Sequence, residues 1–150
     1  MDASSVKTLL RILSTITGDS RRTAVRIEAM GTFAEVNYQV APGADPQNPE
    51  SLSIFIDAEL SSPTTRAQVS LGVAIEIAST AEGGFEAVPT IGWQTSDGPG
   101  SAPATDWDFV DCDLLSSGNP ETFFKALPEY ARGILSRYEE LATAYSRLSK

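Results

Sequence analysis

Two segments alternate so strictly that they leave little choice of backbone. In residues 51–61, Leu52, Ile54, Ile56, Ala58 and Leu60 alternate with Ser53, Phe55, Asp57, Glu59 and Ser61. In residues 67–79, Val69, Leu71, Val73, Ile75 and Ile77 alternate with Ser70, Gly72, Ala74, Glu76 and Ala78. Successive side chains point to opposite faces only in a strand, so a period of two requires one buried and one solvated sheet face. Ser62-Pro63-Thr64-Thr65 between them is turn chemistry, and the pair reads as an antiparallel hairpin with one buried face. A half-apolar hairpin needs a cover, and the two ends of the chain supply helical patterns that fit that role.

At the N-terminus, Val6, Leu9, Leu10, Leu13 and Ile16 step by threes and fours over residues 3–17. Ser4 or Ser5 suits the cap of such a helix and Gly18 its stop. At the other end, Asn119-Pro120-Glu121 is a helix start, and Pro128 is expected to kink or restart the helix. Leu127, Ala131, Ile134, Tyr138, Leu141, Tyr145 and Leu148 then form a narrow seam with heptad steps. Its central members, Ile134, Tyr138, Leu141 and Tyr145, suit either a core against the sheet or an oligomer seam.

Between these ends, residues 23–40 read as a strand whose phase flips near Gly31, from Val25 and Ile27 to Val36, Tyr38 and Val40. Residues 41–49 hold three prolines and read as a loop. Phe85 to Thr95 reads as a strand broken by Pro89, residues 96–105 as a Gly/Pro-rich flexible loop, and 106–115 as a short edge strand. The expected fold is therefore α+β in a single domain spanning 1–150. An N-terminal helix precedes a meander-like antiparallel sheet of about four strands, and a long C-terminal helix packs on one side.

The composition narrows function by exclusion. The chain has no histidine, which removes imidazole dyads, triads and His-ligated metal sites. Its one cysteine, Cys112, cannot form an intramolecular disulfide or a Cys-rich zinc site. Lys+Arg number 11 against 20 Asp+Glu, a net charge of −9 that opposes nucleic-acid binding. The acids concentrate in residues 27–124, where Arg66 is the lone base, and the two ends are mildly basic. Basic helices lying over an acidic sheet would neutralise part of this imbalance internally. No segment is apolar enough to span a bilayer, and Met1-Asp2-Ala3-Ser4-Ser5-Val6 lacks a secretory signal's basic start and apolar run. Membrane insertion is not expected, and the expected location is cytoplasmic.

Few constellations suggest chemistry. Asp106, Asp108, Asp111 and Asp113 cluster, but the central glycine and distal glutamate of a calcium loop are missing, so a charged edge strand is expected rather than a cation site. Asp57, Glu59 and Glu76 share the hairpin's polar face without a nucleophile or a basic partner. Gly83-Gly84 is a turn, because no Gly-Lys-Ser/Thr follows it. No catalytic residue, metal or cofactor is expected. Tyr38, Phe55, Phe85, Trp93 and Trp107 are the candidate binding residues, as aromatics able to line a sheet edge or groove for an extended polypeptide.

Over residues 23–145 the chain resembles the SecB-like protein-export chaperones. Ala34-Glu35-Val36, a long polar loop and Leu52-Ser53-Ile54-Phe55-Ile56-Asp57 are similar to that family's first strand crossing. The hairpin from Ala67-Gln68-Val69 to Ile75-Glu76-Ile77 has its spacing, and Leu127-Pro128-Glu129-Tyr130-Ala131-Arg132 resembles its Leu-Phe-Pro-Tyr-Ala-Arg helix start. Here Glu129 separates the proline from Tyr130, the family's Pro-containing segment after that helix is absent, and the 96–105 loop is additional. The resemblance implies an oligomer, a dimer of dimers, that holds unfolded clients in apolar grooves without ATP. The alternative is a small acidic immunity or inhibitor protein that neutralises a single basic toxin, since opposite charge speeds such association.

Overall fold

The computed structural model describes residues 3–33, 35–42, 52–61, 68–96 and 108–148. In chain order the elements are α1 (Ala3–Ala29), β1 (Glu35–Pro42), β2 (Leu52–Ser61), β3 (Gln68–Ser79), β4 (Phe85–Ser96), β5 (Asp108–Val110), β6 (Leu115–Ser117) and α2 (Pro120–Leu148). The fold is α+β: β1 to β4 form an antiparallel meander, and β5 and β6 both pair with the far edge of β4. Val69, Leu71, Val73, Ile75 and Ile77 of β3 are buried, as are Phe85, Ala87 and Ile91 of β4. They share one cluster with Leu9, Leu13, Ile16 and Ile27 of α1 and Leu127, Ile134 and Tyr138 of α2, so both helices cover the same side of the sheet. Each such side chain contributes roughly 1.5–3 kcal/mol on leaving water.

The first helix corrects the sequence reading at both ends. It starts at Ala3, so Ser4 lies inside its first turn rather than at its cap. It also runs through Gly18 to Ala29, and residues 23–29 are helical rather than extended. The buried positions Leu9, Leu13, Ile16, Ser20, Thr23 and Ile27 keep the steps of four and three. The apolar signal fades because two of these seam positions are Ser20 and Thr23. The stop is at Gly31, which has φ 70°, while Met30 and Gly31 donate to the carbonyls of Ile27 and Glu28 at 3.1 Å. That is a tightened last turn closed by a left-handed glycine. The change from Ile27 to Val36 is thus a helix end, not a flip of strand phase.

The β3–β4 turn confirms the reading of Gly83-Gly84. Gly83 has φ 84°, and its N–H donates to the Thr80 carbonyl at 3.1 Å. Strand β4 is not broken by Pro89, which pairs with Ile75. On the other side of β4, β6 pairs residues 85–87 and β5 pairs residues 91–93, leaving Val88, Pro89 and Thr90 without a ladder partner. A proline without an N–H donor is accommodated where the ladder is already interrupted. Four residues, Asp111 to Leu114, span the stretch facing those three, so β5 and β6 are one strand pass divided by a bulge.

The C-terminal helix begins as its sequence indicates. Asn119 Oδ1 accepts the Glu121 N–H at 2.9 Å, with Pro120 in the first turn. The helix then continues through Pro128 without restarting. Its seam is intramolecular: Ile134 and Tyr138 are buried, and Leu141 and Tyr145 are partly buried against the core. The Tyr138 hydroxyl donates to the Leu71 carbonyl at 2.7 Å, joining helix to sheet inside the core.

Three substitutions test these local assignments by chemical denaturation. Gly18→Ala is expected to stabilise by up to about 1 kcal/mol, because its Cβ would meet only the Arg22 guanidinium at 3.5 Å. Ser20→Ala should also stabilise, since Ser20 Oγ is buried with no partner among the described residues. Gly84→Ala should cost about 2–3 kcal/mol, since its Cβ would fall 2.1 Å from the Ser117 carbonyl oxygen.

Candidate functional site

The helix layer is joined by side chains that also fix its direction. The Arg132 Nε donates to Asp19 at 3.0 Å, Arg26 pairs with Glu139, and Ser146 meets Thr32. These contacts advance together along both helices, so α1 and α2 run parallel. Arg22 also pairs with Asp19, which therefore serves two guanidiniums. A cleft of about 230 Å³ lies along this ion-paired groove. A larger cleft, about 690 Å³, opens between the N-terminal ends of the helices, lined by Ser4, Thr8, Ile12, Phe124, Lys125 and neighbours. The ion pairs among the described residues run within the helix layer, and none reaches an acid of the sheet. The expected neutralisation of sheet by helices is not what these pairs perform.

The described charges of β3 to β6 and their connections are acidic. Glu76, Glu82, Glu86, Asp108, Asp111 and Asp113 belong to β3, β4, β5 and their connections. No base accompanies them among the described residues of this part of the chain. The face turned away from the helices carries small groups, Ser70, Gly72, Ala74 and Gly92, with Val88 and Thr90 exposed. Gly92 pairs with both Gly72 and Phe109. A Cβ on Gly92 would lie 3.0 Å from the Phe109 ring, so the ring sits in the space that glycine leaves. The outer side of Phe109 remains 61% exposed.

The bulge is tied to α2. The Tyr130 hydroxyl donates to the Asp113 carbonyl at 2.7 Å, and Arg137 donates to Cys112 Sγ at 3.4 Å. Burial first, then the negative charges of Cys112 and Asp113, push the Tyr130 phenol up to about 12. Asp108 lies in β5, Asp111 and Asp113 lie in the bulge, and Asp106 is outside the described residues. Among the described residues no group of three acids and thiols gathers as a metal site, and no described helix is long and apolar enough to cross a membrane.

Of the aromatic candidates whose side chains are described, Phe85 and Trp93 do not come together. Phe85 is 3% exposed and belongs to the core, where it stacks on Phe123 at 5.6 Å and meets Phe124 at 5.0 Å. Trp93 is partly buried against that same core, eight residues further along β4, a span of about 27 Å. Tyr38 occupies the register row of Val73 and Ile91, and Phe55 the row of Ala74 and Thr90; their side chains lie outside the described residues. Trp107 lies outside the described residues, as does nearly all of the 96–105 loop. The surface that sequence reasoning missed is the apolar group Val88, Phe109 and Leu114 among the acids. Nothing in the local sequence distinguishes the exposed Phe109 from its neighbour Val110, which packs against the core.

No protein-family model, curated protein or solved structure matches this chain.

The phenol gives a pH prediction. Its folded-state value lies above the ordinary 10.0, so its contribution to stability is present below pH 10 and is lost as pH rises towards 12. The stability advantage of the wild type over Tyr130→Phe should therefore shrink across that window, as read by urea denaturation at several pH values.

Proposed function

We propose that this protein is a binding module rather than an enzyme, and that the acidic side of its sheet takes one basic protein partner in the manner of a small immunity or inhibitor protein. The observation that carries this reading is the segregation of charge. The described acids of β3 to β6 have no base among them in sequence, and the ion pairs among the described residues lie in the helix layer. Charge left unneutralised by folding raises the encounter rate with an oppositely charged surface. Val88, Phe109 and Leu114 add the apolar contact that holds a partner once it has arrived.

A second reading is the ATP-independent holding chaperone of SecB type. It is supported by the sheet edge at β1, which can accept an extended client as an added strand, and by the same exposed apolar group. It draws less from the aromatics, since Phe85 is committed to the core.

The two readings separate experimentally. In a pull-down from the native host, the inhibitor reading expects one dominant basic protein, lost at high salt and reduced at least tenfold by Glu76→Lys with Glu86→Lys. The chaperone reading expects many weakly held polypeptides and suppression of aggregation of a chemically unfolded substrate at stoichiometric amounts. Capture that ignores both salt and charge reversal would sink the electrostatic reading.

A further inference from the structure

The exposed large apolar side chains among the described residues fall into two groups. Leu10 and Val25 are 60% and 55% exposed on α1, while Val88, Phe109 and Leu114 lie at the β4–β6 side of the sheet. The α1 pair sits in a second stripe stepped by four and three, Lys7, Arg11, Ser14, Gly18, Arg21 and Val25, with Leu10 beside it. This stripe is opposite the buried seam and turned away from the core. Lys7, Arg11 and Arg21 make no ion pair with a described residue, in contrast to Arg22 and Arg26. One side of the molecule thus presents leucine and valine among bases. The other presents valine, phenylalanine and leucine among acids.

We propose that the occupant of the acidic sheet face, in the absence of another partner, is a second copy of this chain, docked through the outer stripe of its α1. Face-to-face pairing of two sheets would set acids against acids, and pairing of two α1 stripes would set bases against bases. Only the unlike pairing brings opposite charges together while covering both apolar groups. Because the two surfaces lie on opposite sides of a two-layer molecule, the contact is heterologous. Each added copy leaves one helix stripe and one sheet face open, so assembly proceeds in steps without two-fold closure. The contact shares the sheet face invoked for a basic partner but stands without that reading. Where both hold, the partner competes with the second copy.

Sedimentation velocity on the full chain tests this. At about 20 mM salt the weight-average mass should climb with concentration above the 16.0 kDa of one chain, and at about 500 mM salt it should return to that value. Leu10→Asp with Val25→Asp removes the helix stripe, and Val88→Asp with Leu114→Asp removes the sheet patch. Each double variant alone should sediment as a monomer. An equimolar mixture should reach twice 16.0 kDa and stop, because each species keeps one complementary surface. A wild type that stays monomeric at every concentration overturns the proposal, and so does either variant that still pairs with itself. If the sheet variant loses cooperative unfolding, Glu76→Lys with Glu86→Lys reads the same face, and the salt dependence of the wild type decides independently.

Discussion

The parallel run of the two helices is the constraint on which the rest of this structure rests. Between α1 and α2 the chain makes five antiparallel passes, counting β5 and β6 as one bulged strand. A short connection leads from the end of α1 at Ala29 to β1 at Glu35, and another from β6 at Ser117 to α2 at Pro120. Tight connections reverse direction at each end, and an odd number of passes then obliges both helices to point the same way. Parallel neighbours align their dipoles side by side, which is mildly unfavourable. The pairs Asp19–Arg132 and Arg26–Glu139 cross between them in register and offset that cost. As half-exposed pairs they contribute no more than about 1 kcal/mol each. The seam beneath them, from Ile16 and Ile27 to Leu127 and Tyr138, contributes far more.

With both helices spent on one side, the sheet's other face has no cover from the described elements, and its composition follows from that. Gly72, Ala74 and Gly92 keep little apolar surface there, and the acids keep it hydrated. The short β5/β6 edge is guarded in the ways that prevent strand pairing between molecules: a bulge, flanking aspartates and a proline in the strand beside it. Tyr130 and Arg137 hold that bulge from α2, so the edge is positioned by the helix layer rather than by ladder bonds alone.

How legible these features were depends on whether one force acted alone. The hairpin β2–β3 was legible because strict alternation sets its pairing, and in β3 burial of one face, Val69 to Ile77, is the dominant demand. The start of α2 was legible because Asn119 and Pro120 act locally. The second half of α1 was not, because Ser20 and Thr23 occupy buried seam positions and the β-branched Val25 and Ile27 imitate a strand. Pro89 was misread because its tolerance depends on a gap made by residues more than twenty positions later. The aromatics misled for a related reason. Phe85 lies at a strand end beside a glycine turn, yet its environment is set by Phe123 and Phe124, which arrive from α2.

Charge is the property that the fold sorts most completely. The net −9 is not an average over a mixed surface. The guanidiniums of Arg22, Arg26 and Arg132 are committed to Asp19 and Glu139 within the helix layer. Of the bases outside these pairs, Lys7, Arg11 and Arg21 lie on the outer stripe of α1, while Arg137 of α2 reaches Cys112 in the bulge between Asp111 and Asp113. Like charges held on one face oppose folding through their mutual repulsion, and no ion pair with a described base relieves Glu76 or Glu86. Nothing in the packing of the core requires Glu76, Glu86 or Asp108, which sit outside it. At the surface they are solvated and screened by salt, and they remain available to an oppositely charged group. An oppositely charged partner on the side that the helices leave open would relieve this repulsion, which is the physical basis of the proposed binding role.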